Sequence, residues 1–174
     1  MIRSAMELFA ENGFEQTTAG DIAESAGVTE RTFFRHFADK REVLFHGSET
    51  MDRLCYDATV AAPDDLSPLD AALVGVAAAG GMLEDRREFA VLRSRIIAAT
   101  ASLRERELLK LAAMTETVGR ALRRRGVDDP AASLAAHSAI TVFHVAFESW
   151  IKAEGLPPFA VCVAEIAAAL RALN

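Results

Sequence analysis

Arg31 and Arg35 lie four residues apart within Thr29–Phe37, a spacing that puts both on one side of any helix formed there. Counting ~100° per residue, Phe33 and Phe37 share the opposite side, and the arginines fall ~160° and ~200° away from Phe33. Phe34 occupies one shoulder of this helix, Thr32 and His36 the other. An apolar keel carrying two outward guanidiniums can anchor in a core and enter a DNA major groove, where arginine pairs bidentately with guanine. The same pattern also suits an ordinary solvated helix face.

The elements that would position these groups are short helices with clear ends. Thr18 stands three residues before Asp21, a carboxylate form of the capping box, and Ile22, Ala23 and Ala26 give a second helix, Thr18–Ala26, its inner side. Gly27 ends it, and Thr29 caps a third helix through Phe37. Two short helices joined by a tight glycine turn have the dimensions of a helix-turn-helix. Ahead of them, Ile2, Ala5, Met6 and Phe9 recur at helical spacing in a first helix that stops at Asn12-Gly13. Met1 already lies inside that pattern, which leaves open whether an arm precedes it. After them, Asp39 and Glu42 start a fourth helix, expected to run unbroken to about Ala61 and to join head to body.

Charge points two ways. The chain has 174 residues, a formal net charge of -6 and a pI near 5.3, which opposes a general nucleic-acid coat. From Gly27 to Arg41, however, Arg31, Arg35, Lys40 and Arg41 outnumber Glu30 and Asp39, and DNA meets only one face of a protein. The chain is 51% hydrophobic but only 7% aromatic, and its β-branched residues come mostly singly, so we expect an all-α fold of about nine helices. Cys55 and Cys162 lack metal-ligand spacing and read as buried thiols of a reducing cytoplasm. No secretory signal is visible.

Beyond the loop Ala62–Pro68, Ser67-Pro68 starts a fifth helix, Asp85 and Glu88 bracket the start of a sixth, and Ser102 with Glu105 opens a seventh. The seventh ends in Arg123-Arg124-Arg125 before Gly126, as the helix dipole prefers. Asp129-Pro130 starts an eighth helix to about Ala153, and Pro157-Pro158 a ninth that continues nearly to Asn174. The ninth is apolar nearly all round, so a second copy is its simplest cover. The eighth offers it Leu134, Ala135, Ala139, Ile140, Val142, Phe143, Ala146, Phe147 and Ile151. These helices, near 130–153 and 158–173, are therefore the expected homodimer interface. His137, His144 and Glu148 oppose a membrane span there.

Helices five to eight would surround a cavity, with Phe89, Leu92, Ile96, Leu111, Met114, Val118, Phe147 and Trp150 as wall candidates, each of which suits ordinary core equally well. His137 and His144 share a helix face without further metal ligands and read as hydrogen-bonded core or interface residues. No nucleophile-base constellation or phosphate loop stands out, and we expect no catalysis, cofactor or metal.

From Ala5 to Leu44 the sequence resembles the DNA-binding signature of the tetracycline-repressor (TetR) family. Leu8-Phe9, Gly13-Phe14, Thr17-Thr18, Ile22-Ala23, Ala26-Gly27-Val28, Thr32, His36-Phe37, Lys40 and Leu44 agree together. The resemblance implies a DNA-binding domain over 1–46 and a ligand-binding and dimerisation domain over 47–174. It implies phosphate contacts from Thr17 or Thr18, His36 and Lys40, base contacts from Arg31, Thr32 and Arg35, and Thr29 within the same surface. The family usually has tyrosine where Phe34 stands; Phe34 can touch a thymine methyl or a sugar instead. A repressor that binds a pseudo-palindromic duplex as a dimer and is released by a small hydrophobic inducer is the implied function. A helical carrier or enzyme, or a purely structural dimer, would leave Arg31 and Arg35 unexplained.

Overall fold

The computed structural model describes residues 1–173. Among them it contains nine α-helices, two short 3-10 segments and no strand, the all-α fold that the composition implies. The helices are α1 (Ile2–Asn12), α2 (Ala19–Ser25), α3 (Glu30–His36), α4 (Ser48–Ala61), α5 (Pro68–Gly81), α6 (Arg87–Ala99), α7 (Ala101–Arg124), α8 (Ala131–Lys152) and α9 (Phe159–Arg171). Asn174, toward which the ninth helix is expected to run, lies outside the described residues.

Two compact units are present, Met1–Ser48 with Glu88–Leu108, and Glu49–Arg87 with the chain from Leu109 onward. In the first, Phe9, Phe14, Ile22, Phe33, Phe37 and Val43-Leu44-Phe45 form one buried cluster that also takes in Ile96, Ile97 and Leu103. Helix α2 ends as a full Schellman motif. Gly27 at φ 67 donates its N–H to the Glu24 carbonyl (3.0 Å), and the Val28 N–H reaches the Ala23 carbonyl (2.9 Å).

The expected unbroken fourth helix is corrected by the structure. A 3-10 segment, Lys40–Val43, is followed by a turn through Gly47 at φ 91, and α4 begins only at Ser48. Val43, Leu44 and Phe45 are all buried in the head core. Three successive residues on an α-helix spread over ~200° and could not share one core face.

In the second unit α5 packs against both α8 and α9, and its glycines approach α4 and α9 at van der Waals limits that only glycine permits. A Cβ on Gly75 would lie 2.0 Å from Thr59 Oγ1 and 2.7 Å from the Cys55 carbonyl, and one on Gly80 would lie 2.1 Å from the Phe159 ring. Phe159 in turn stacks between Phe143 (5.5 Å) and Trp150 (5.7 Å). This packing revises the expected subunit surface of α8. Ala135, Ala139, Ile140, Val142, Phe143 and Ala146 are buried within the chain itself, and of the nine residues expected to form that surface only Leu134 is exposed, with Phe147 and Ile151 half-buried.

Gly75→Ala is expected to cost about 1–3 kcal/mol of stability through overpacking. Gly81→Ala, whose methyl would meet nothing within 4 Å, is expected to be neutral or to add up to about 1 kcal/mol. Urea unfolding of both variants checks this, and equal effects would contradict the close approach at Gly75.

Candidate nucleic-acid interface

The surface around α2 and α3 is built on caps. Thr18 and Asp21 form the complete capping box, with Thr18 N–H to Asp21 Oδ2 at 2.8 Å and Asp21 N–H to Thr18 Oγ1 at 3.1 Å. Thr29 Oγ1 accepts from the Thr32 N–H (3.2 Å), fixing the start of α3, and lies 3.0 Å from Thr32 Oγ1. Phe33 is fully buried and holds α3 by its keel, with Phe37 5.4 Å away. Phe34 stands edge-on to Phe33, 50% exposed.

Arg31, Arg35 and His36 are exposed, and Thr32 is half-buried. Among the described residues neither Arg31 nor Arg35 takes part in an ion pair. The other two cations of the local basic run are engaged. Arg41 pairs with Asp39 at 2.6 Å, and Lys40 donates to the carbonyls of Phe14 (2.7 Å), Thr17 (2.8 Å) and Glu15 (3.3 Å). Of the two threonines ahead of α2, only Thr18 is exposed. Thr17 is buried, with its hydroxyl donating to the Gly13 carbonyl (2.9 Å) and lying 3.3 Å from that of Leu8.

Residues 1–46 match the family model of bacterial regulatory proteins of the tetR family, and residues 66–173 match the MftR C-terminal domain. The chain belongs to the tetR family of bacterial regulatory proteins. It is thus a TetR-type transcriptional regulator with a DNA-binding helix-turn-helix. The HTH-type transcriptional regulator TcmR of Streptomyces glaucescens is 44% identical over 71 residues, 41% of this chain and 31% of TcmR. The chain thus matches less than a third of that relative's length. Among solved structures, the TetR-family regulator PfmR of Thermus thermophilus superposes with a TM-score of 0.57 at 23% identity, covering 99% of this chain and 98% of PfmR. FadR of Bacillus subtilis, in complex with stearoyl-CoA, gives 0.64 at 17% identity, with 97% and 95% covered. At these identities both share the fold.

The eight wall candidates of this TetR-type regulator divide between the units. Phe89, Leu92 and Ile96 on α6 belong to the first unit and pack on the head core. Leu111, Met114 and Val118 on α7, with Phe147 and Trp150 on α8, belong to the second. His137 and His144 are exposed, not core. His137 Nδ1 lies 2.8 Å from the Ser133 carbonyl, and His144 lies 3.7 Å from Glu148. Among the described residues no metal-holding cluster occurs and no helix is long and apolar enough to cross a membrane. Cys55 and Cys162 are buried, and burial pushes the Cys55 thiol up to about 12.

Sequence reasoning missed how cations brace this surface. In the first unit Arg93 Nε donates to the Leu44 carbonyl (2.6 Å), its guanidinium pairs with Glu107 (2.6 Å), and Arg106 pairs with Glu42 (2.5 Å). Only their distance in sequence, 49 and 64 residues from the groups they meet, hid them.

The Thr18 backbone N–H, and then its side chain, hold the Asp21 carboxyl below its ordinary value of 3.8. Its contribution to head stability is therefore complete above that value and is lost as the pH falls through the lowered one. Asp21→Asn is expected to flatten the acid limb of head unfolding, measured by urea titration at successive pH values. An unchanged limb would mean that the capping box does not titrate with folding.

Proposed function

We propose that this regulator is a repressor that binds a pseudo-palindromic operator as a homodimer and is released by a small hydrophobic ligand. The observation that carries the reading is the pair Arg31 and Arg35, exposed and without ion-pair partners beside a half-exposed Phe34, on a helix anchored by buried Phe33. Arg31, Thr32 and Arg35 are assigned to base edges and Phe34 to a thymine methyl or a sugar. Thr18, Thr29 and His36 are assigned to phosphate contacts. We assign residues 1–46 to DNA and 47–174 to ligand binding and dimerisation.

For the dimer, the faces of α8 and α9 left open within the chain are the natural seam. They carry Leu134 and Val145 on α8 and Val161, Ala164 and Ala168 on α9, and small side chains allow close helix approach. The FadR neighbour, in complex with stearoyl-CoA, supports a hydrophobic ligand, an acyl chain first among the classes to test. Within the first unit, α6 is tied to the head by Arg93 on the Leu44 carbonyl. A ligand shifts such an equilibrium only by its differential affinity for the two states.

Selection from random duplexes is expected to return an inverted repeat with half-sites ~34–36 Å apart or a little more. Arg31→Ala and Arg35→Ala are each expected to cost ~1–3 kcal/mol on that site and far less on random DNA. No inverted repeat, or equal losses on both duplexes, would sink the reading.

Stearoyl-CoA is expected to bind the free protein more tightly than the operator complex, and by linkage to weaken operator binding by the same factor, typically ~5–150-fold. Titrations with and without operator decide it, since equal affinities would mean that the ligand does not regulate the head.

A further inference from the structure

Lys40 occupies the position where the family resemblance implies a phosphate contact, yet its ammonium is turned inward. An ammonium has three N–H donors. Here they meet three carbonyls, Phe14 at 2.7 Å, Thr17 at 2.8 Å and Glu15 at 3.3 Å, with the Phe14 ring 4.4 Å from Nζ. Phe14 is itself buried, 5.1 Å from Phe9. The stretch from Gly13 to Thr17 lies between the end of α1 and the cap of α2. The buried Thr17 hydroxyl, with its single proton, donates to the Gly13 carbonyl at 2.9 Å and lies 3.3 Å from that of Leu8 in α1. Two side chains thus hold the carbonyls of Gly13, Phe14, Glu15 and Thr17 around one turn, and the last of them directly precedes the Thr18 cap.

We propose that Lys40 is a positioning residue of the DNA-binding surface: it locks the turn that sets where α2 begins, and it does not ligate a phosphate. The charge is used at short range on peptide carbonyls, with all three N–H donors engaged. The α2 amino-terminal turn, with exposed Thr18, is then presented in one fixed place beside α3. A guanidinium placed here would present its donors as a planar fork, a different geometry from three N–H groups on one tetrahedral nitrogen. The effect on DNA rests on the proposed function, whereas the lock itself does not.

The test uses Lys40→Met and Lys40→Arg in the full chain. In the free protein, amide exchange at Asp21 and Ile22, whose N–H groups bond to Thr18, is expected to quicken in both variants by on the order of tenfold, the factor of one charged hydrogen bond. Exchange at Val76 in the second unit is expected to stay unchanged. On the selected operator both variants are expected to lose on the order of tenfold in affinity, with the slope of log affinity against log salt unaltered. Rescue by arginine with a slope lowered by about 0.9 in Lys40→Met would show a phosphate contact and overturn the proposal. Unchanged exchange, or full operator affinity in a folded but less stable variant, would also overturn it. If the parent protein bound no duplex, the regulator reading would fail while the exchange data still decided the lock.

Discussion

Every helix leaves its last carbonyls without partners inside the helix, and the nine helices among the described residues have many such ends to satisfy. Here long cationic side chains satisfy several of them. Arg125, whose side chain is only 10% exposed, donates to the carbonyls of Val60 (3.0 Å), Ala62 (2.5 Å) and Pro63 (2.7 Å) at the end of α4. Arg87 holds those of Trp150 and Ala153, both at 2.7 Å, at the end of α8. In the first unit Arg93 holds the Leu44 carbonyl after the 3-10 segment, and Lys40 holds those of the connection between α1 and α2. Leaving a buried carbonyl unpaired costs about 1–3 kcal/mol, so these contacts are a condition of folding as much as an ornament of it.

That constraint also sorts the basic residues of an acidic protein. A cation that ends on a backbone carbonyl or a carboxylate is accounted for by the fold. Arg31 and Arg35 are not accounted for in this way, and their exposure on α3 is maintained by Phe33 beneath them. The functional surface is legible as the residue left over once structural demands have been met, and net charge, which counts both kinds alike, is a poor guide to it.

Much of this is readable from the sequence because its signals are local. Thr18 with Asp21, Gly27 with Val28, and Ser67 with Pro68 each specify a helix end through groups a few residues apart, and the structure forms all three. What escapes depends on distant partners. The break before Ser48 follows from burying Val43, Leu44 and Phe45 together, which no helical periodicity announces. The apolar stripe of α8 reads as a subunit surface because alanine and phenylalanine look the same whether α5 or a second copy covers them. Arg125 reads as part of a favourable helix end, and its true partners lie more than 60 residues away. Within the candidate interface, the outward arginines, Thr18 and Thr29 can be placed from spacing alone, whereas the inward turn of Lys40 cannot.

Trp150 is the only tryptophan and Tyr56 the only tyrosine, and both belong to the second unit. The indole is buried, donates to the Pro157 carbonyl at 3.0 Å, and has the Arg87 guanidinium 5.5 Å from its ring. The first unit has only phenylalanine among the chromophoric side chains. Intrinsic near-ultraviolet fluorescence of the free protein therefore reports the packing of the second unit alone, and the half proposed to touch DNA stays optically silent until a fluorophore is placed in it.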